Sequence, residues 1–301
     1  MGKLATLIIV GISSFRKRTY RKNINIIFLL KLFFKKFVFN IMPKKASKTL
    51  KRPVVLKVRD PVSKQPRELH PNLMELPSCL LICGAVKQGK SNYLLNLLAN
   101  DDFIGSNFFD QYKIISTTLN ADPKGKIFND LFDAEDHYDD QMIKDLIESQ
   151  KKYGDKTDMP STCLIADDIL TKEFVRKNTD LTLLSSRFRH FNIQLLAYVT
   201  QSFKAIPPIV RNNATDIIVM KQSNAKELEK IAEEYAPMFG DDKIFKQLYD
   251  YAIGYGPYNF LYLKLSQNPA EAFRCHEEKI AEGSKILFNK NSKNNEENNI
   301  E

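Results

Sequence analysis

Leu80-Leu81-Ile82-Cys83-Gly84-Ala85-Val86-Lys87-Gln88-Gly89-Lys90-Ser91 is the stretch that decides the fold. Apolar residues of strand character stop at Gly84 and the chain crosses a short loop with a second glycine. It then resumes as Tyr93, Leu94, Leu97 and Leu98 at helical spacing. The reading is strand, loop, helix. Gly84 to Ser91 fits G-x-x-x-x-G-K-[ST], the P-loop. The glycines let backbone N–H groups curl around phosphate oxygens where a Cβ would obstruct. Lys90 brings a point charge to the β/γ-phosphates, the Ser91 hydroxyl is a ligand for Mg²⁺, and the helix that follows adds its N-terminal dipole.

Outward from this loop the chain alternates strand-like and helix-like segments from Leu73 to Leu265, which predicts an α/β fold with a largely parallel sheet. Strands are expected at Cys79–Cys83, Tyr112–Ser116, Cys163–Ala166, Gln194–Val199 and Ile217–Met220. Helices are expected at Ser91–Asn100, Lys126–Leu131, Asp139–Lys152, part of Leu170–Phe188, and Ala225–Tyr235. Tyr258–Leu265 reads as the strand that ends the sheet, and the Asn-, Lys- and Glu-rich segment 282–301 as a disordered tail. The resulting organisation is an N-terminal extension (1–41), a basic arm (42–72), an ATPase domain (73–281) and the tail (282–301).

Charge needs the same positional reading. The chain has 45 Lys/Arg and 36 Asp/Glu, but residues 1–41 hold nine of the bases and no acid, leaving 36 of each from Met42 onward. A basic pI is therefore no argument for nucleic-acid binding by the body of the chain. In residues 1–41 the apolar run Ile24–Phe39 is broken by Lys31, Lys35 and Lys36, short of the about 20 apolar residues of a membrane span. Two readings of this segment stand: translated upstream sequence with Met42 as the start, or a basic amphipathic membrane anchor. Stable membrane insertion is not expected. Pro43–Arg67 carries nine Lys/Arg against Asp60 alone and reads as a mobile basic arm, with a short edge strand at Val54–Val58. Cys79, Cys83, Cys163 and Cys275 lack metal-site spacing and read as free thiols of a reducing compartment.

A P-loop needs a carboxylate from the end of another buried strand to hold Mg²⁺. Ser161-Thr162-Cys163-Leu164-Ile165-Ala166-Asp167-Asp168 supplies it, with Asp167 beside the metal and Asp168 placed to take a proton from, or orient, the attacking water. The same acids also suit the cap of a helix starting near Leu170. A third strand ends in Thr200-Gln201, whose amide both donates and accepts and so can report the γ-phosphate.

The order P-loop, Asp167-Asp168, Arg189-His190-Phe191-Asn192-Ile193, Thr200-Gln201-Ser202, Ile206-Pro207-Pro208 and Arg211-Asn212-Asn213-Ala214 resembles the DNA-packaging ATPases of poxviruses, other large DNA viruses and virophages. These belong to the FtsK/HerA group of P-loop motors, with an ASCE/RecA-like fold. The resemblance covers roughly Leu76 to Leu265. It implies an ATP- and Mg²⁺-dependent motor, assembled as a homo-oligomeric ring, that drives double-stranded DNA into a preformed capsid at a capsid or portal-vertex protein, in the host-cell cytoplasm (viral factory) and in the virion. It also implies an arginine acting in trans on the γ-phosphoryl group, for which Arg189, Arg187 and Arg211 are the candidates. Cellular members end the second motif in Asp-Glu, so Asp168 departs from that pattern by one methylene. A cellular or plasmid DNA translocase and a nucleotide kinase are the alternatives. A small GTPase would need an Asn-Lys-x-Asp motif, which the sequence lacks.

Overall fold

The computed structural model describes residues 65–120, 123–169 and 179–288. The expectations for residues 1–41, for the strand at 54–58, for the helix over 170–178 and for the tail from 289 onward lie outside the described residues.

Each buried strand is an apolar run because it is covered on both faces. Strands β1 (Ser78–Cys83), β2 (Gln111–Ser116), β3 (Asp133–Glu135), β4 (Thr162–Asp167), β5 (Ile193–Thr200) and β6 (Asp216–Met220) form a parallel set in the order β6-β1-β5-β4-β2-β3. Successive residues of β1 point to opposite sides, as the pleat requires. Cys79, Leu81 and Cys83 belong to the core that also holds Ile143, Leu146 and Ile147 of α3 (Asp140–Lys151), Ile231 and Ala232 of α6 (Ala225–Tyr235), and Phe245 and Leu248 of α7 (Asp242–Ile253). Leu80 and Ile82 belong to a second core that also holds Tyr93, Leu94, Leu97 and Leu98 of α1 (Lys90–Ala99) and Phe128 of α2 (Pro123–Leu131). The short helices α4 (Asp180–Leu184) and α5 (Pro208–Asn212) complete the connections.

Three expectations are corrected. The sheet does not end at the strand expected over Tyr258–Leu265. That strand, β7 (Phe260–Lys264), pairs antiparallel with β6, and β8 (Glu271–Arg274), β9 (Glu278–Glu282) and β10 (Lys285–Ile286) extend the sheet antiparallel beyond it. Residues 282–288 accordingly belong to the folded body: Lys285 and Ile286 pair with Glu282 and Ala281, and the Phe288 ring stacks on Tyr251 at 3.9 Å between centroids. The end of the basic arm is also fastened. Arg67 donates to the carbonyls of Asp101, Phe103 and Ile104 at 2.6, 2.8 and 2.9 Å, and Asn72 Nδ2 to that of His276 at 2.8 Å.

Candidate active site

Register brings the sequence-predicted residues to one edge of the sheet. Ser116 pairs with Asp167, Asp167 with Val199, and Cys83 with both Thr200 and Val219, so β2, β4, β5, β1 and β6 end nearly level. The residues just past those ends are Thr118, Asp168, Gln201, the P-loop and Lys221. Because β5 lies between β1 and β4, Gln201 emerges between the phosphate loop and the acid pair. The result is an α/β fold whose glycine-rich loop after β1 stands at the finishing edge of the parallel strands.

The loop itself is held from both sides. Gly84 N–H donates to Thr200 O at 3.2 Å and Ala85 N–H to Lys221 O at 3.0 Å. Gly84 has no room for a side chain, since a Cβ there would lie 2.7 Å from Met220 Cβ. The turn uses left-handed backbone at Lys87 (φ 61°) and at Gly89 (φ 98°), which caps α1. Lys90 is buried, and its Nζ donates to the loop's own carbonyls, Gly84 O at 2.8 Å and Ala85 O at 3.0 Å. Burial lowers the Lys90 pKa, and the nearby charges of Asp168 and Asp167 oppose that shift. A phosphate in the loop offers this ammonium a charged acceptor, a stronger partner than two neutral carbonyls.

Asp167 is buried, and its Oδ2 accepts from Ser116 Oγ at 2.8 Å. Asp168 is partly exposed and adopts left-handed backbone (φ 51°), with its N–H bound to Val199 O at 3.0 Å. That conformation favours Asp over longer side chains and gives a physical reason for the departure from Asp-Glu at this position. Gln201 Nε2 donates to Asp168 Oδ2 at 3.1 Å, coupling the expected sensor to the expected base. Val86, Lys87, Gln88, Gly89, Lys90 and Ser91 line one open cavity of about 440 Å³ together with Thr118, Asp168, Gln201 and Tyr258. The donor set fits a cation carried in with a nucleotide. Ser91 and Asp167 are hard oxygen ligands, Ser116 fixes the carboxylate from behind, and Mg²⁺ takes few protein ligands when phosphates supply the rest.

The three arginines are not part of this cavity. Arg187 caps, and Arg189 lies within, the short 3₁₀ turn Phe188–Phe191 that precedes β5, whereas Gln201 follows that strand. Eight strand residues separate the two ends, about 25 Å at about 3.3 Å per residue. Both side chains are exposed, with Arg189 over the Phe188 ring (5.3 Å) and Arg187 over Phe191 (5.9 Å). Arg211 is engaged internally: Nε pairs with Glu234 at 2.8 Å, Nη1 donates to Ile206 O at 2.8 Å, and the guanidinium covers Phe203 at 5.1 Å. The expectation for these arginines is action in trans, on a neighbouring subunit's phosphate, which a position away from their own subunit's cavity does not contradict.

Sequence reasoning missed Ser116, Thr118 and Tyr258. The Ser116-Thr117-Thr118 hydroxyl run at a strand end was a readable signal for the first two. Cys79, Cys83 and Cys163 are buried free thiols, and Cys275 is half-buried. Burial pushes the Cys79 thiol up to about 12, so it has no nucleophilic character at neutral pH.

No protein-family profile matches the chain. It is similar to uncharacterized protein 075L of Invertebrate iridescent virus 6, at 26% identity over 171 residues, 56% of this chain and 64% of that protein. It is also similar to uncharacterized protein 088R of Invertebrate iridescent virus 3, at 24% identity over 38% of this chain and 44% of that one. The chain thus spans less than two thirds of either relative's length. Among solved structures it is similar to B204, the DNA-packaging ATPase of Sulfolobus turreted icosahedral virus, at 18% identity and a TM-score of 0.46, covering 66% of this chain and 98% of that one.

Proposed function

We propose that this chain is an ATP-hydrolysing motor that translocates double-stranded viral DNA into a preformed capsid. The observation that carries the enzymatic part is the convergence of Lys90, Ser91, Asp168 and Gln201 on one cavity, with Asp167 buried at the end of the adjoining strand. In this reading the P-loop amides and Lys90 bind the β- and γ-phosphates. Ser91 and Asp167 would hold Mg²⁺, which would supply charge neutralisation for the phosphates. Asp168 accepts the proton of the attacking water as the water oxygen bonds to the γ-phosphorus and the bond from that phosphorus to the β,γ-bridging oxygen breaks, releasing ADP and inorganic phosphate. Gln201, tied to Asp168, orients that water and senses whether the terminal phosphate is still there.

The packaging part rests on the motif order from Gly84 to Ala214 and on sequence similarity to proteins of two viruses. Partners on this reading are double-stranded DNA, further copies in a ring, and a capsid or portal-vertex protein. The location is the host-cell cytoplasm or viral factory and the virion. Among the described residues no helix is long and apolar enough to cross a membrane. A cellular or plasmid translocase would share the chemistry. A nucleotide kinase is less well supported, because its lid needs arginines over the P-loop, whereas Arg187 and Arg189 sit at the opposite sheet edge. That position leaves them able to act only on a neighbouring subunit's site, with Arg189 the first choice.

The test is ATP turnover by the purified full chain with and without double-stranded DNA, alongside its elution volume. A ring-sized oligomer whose turnover rises several-fold with DNA is expected; a monomer indifferent to DNA would remove the motor reading. Mixing inactive Arg189→Ala and Lys90→Ala chains should restore part of the activity if the arginine acts in trans.

A further inference from the structure

The phosphate cavity has a direction. Asp168 and Gln201 lie on its β4/β5 side, so a triphosphate hydrolysed there points its terminal phosphate that way, and its nucleoside must leave toward β6 and β7. On that side a second cavity, about 650 Å³, opens between the P-loop residues Lys87 and Gln88, Lys221 after β6, and the connection Gly254-Tyr255-Gly256-Pro257-Tyr258-Asn259 before β7. The two cavities share Lys87, Gln88 and Tyr258, so they adjoin.

Tyr258 stands at the junction. Its side chain is 60% exposed, although most of the described Phe and Tyr residues are buried. Its backbone is held at φ 69°, a conformation that bulky residues rarely adopt and that marks functional positions when the surroundings enforce it. The ring packs on the phosphate loop: a Cβ on Gly89 would lie 3.0 Å from Tyr258 Cδ1. The connection is braced beneath, where Tyr255 OH donates to Tyr251 OH at 3.0 Å and the Arg274 guanidinium covers the Tyr255 ring at 4.2 Å. A fixed, exposed aromatic face beside a phosphate site, opening on a cavity with Lys221, Asp250 and Asn259 in its wall, is suited to a flat heterocycle.

We propose that this second cavity receives the purine base of the bound nucleoside triphosphate, with the Tyr258 ring as its stacking surface. This rests on the nucleotide reading of the P-loop, and the experiment separates the two. ATP and inorganic tripolyphosphate, each with Mg²⁺, are titrated by calorimetry into the wild-type chain, Tyr258→Phe and Tyr258→Ala. Stacking predicts that Tyr258→Ala weakens ATP binding about 10-fold more than it weakens tripolyphosphate binding, and that Tyr258→Phe binds both as the wild type does. Unchanged ATP affinity in Tyr258→Ala, or an equal loss for both ligands, overturns the base site while leaving the P-loop reading intact. If neither ATP nor tripolyphosphate binds the wild-type chain, the P-loop reading falls and the base site falls with it.

Discussion

The two ends of the parallel strands follow opposite rules. At the end where the strands begin, buried polar groups pair with one another, with Gln150 Oε1 the exception. Asp216 accepts from Ser78 at 2.8 Å, Thr215 at 2.8 Å and Tyr262 at 2.7 Å; Gln150 Nε2 donates to Pro160 O and Thr162 Oγ1; Asn192 accepts from Gln194 and donates to Met159 O. At the end where the strands finish, Val86, Gln201 and Tyr258 are exposed and the Lys90 ammonium is bonded within its own loop. Closed networks fix which strands adjoin and at what register, because each buried group left without its partner costs free energy. Partners that a ligand can improve upon make the other end a place to bind one.

The sharpest way to break this contrast is at Asp216. Asp216→Ala leaves the buried Ser78 and Tyr262 hydroxyls without their acceptor and should cost about 3 kcal/mol of stability or more, read as a shift in the urea midpoint. ATP turnover per folded molecule should be unchanged. Lost turnover with unchanged stability would show that this edge does chemistry after all.

A smaller effect comes from His276, which ties the antiparallel strands to the P-loop helix. Its Nε2 meets Tyr93 OH at 2.8 Å, its Nδ1 faces Asn72 O at 3.2 Å, and the rings of Phe260 and Tyr262 lie 5.4 and 4.5 Å away. Burial lowers its pKa to about 4. The folded state therefore prefers the neutral ring. The stability this contributes is complete above the unfolded value of about 6.5 and declines as pH falls from there toward about 4. Thermal unfolding between pH 7 and 5 should show a falling midpoint for the wild type and a flatter profile for His276→Phe. Equal slopes would mean that the ring titrates normally.

How much of this was legible in the sequence follows from the same physics. The parallel strands are buried on both faces, so each appears as an unbroken apolar run, and the structure places β1, β2, β4, β5 and β6 within a residue or so of expectation. The antiparallel extension hides in segments such as Glu271-Ala272-Phe273-Arg274 and Glu278-Lys279-Ile280-Ala281-Glu282, whose charges lie at the ends and on exposed positions. Helix α7 escaped notice although Asp241 caps it in a readable position, accepting from Ile244 N–H. For the site, Gly84–Ser91, Asp167, Asp168 and Gln201 follow from strand ends alone, since level strands bring their ends together. Tyr258 does not, because its place depends on a connection from α7 to β7 that neither apolar pattern nor motif announces.

The central claim is that the finishing edge of the sheet binds and hydrolyses a nucleoside triphosphate through Lys90. The direct measurement is ATP turnover by wild-type and Lys90→Ala chains, with their unfolding midpoints recorded in parallel. Removing the ammonium should lower turnover at least 100-fold, about 2.7 kcal/mol of transition-state stabilisation, and leave the midpoint within about 2 °C, since Lys90 bonds only to its own loop. Turnover by Lys90→Ala equal to that of the wild type would contradict it.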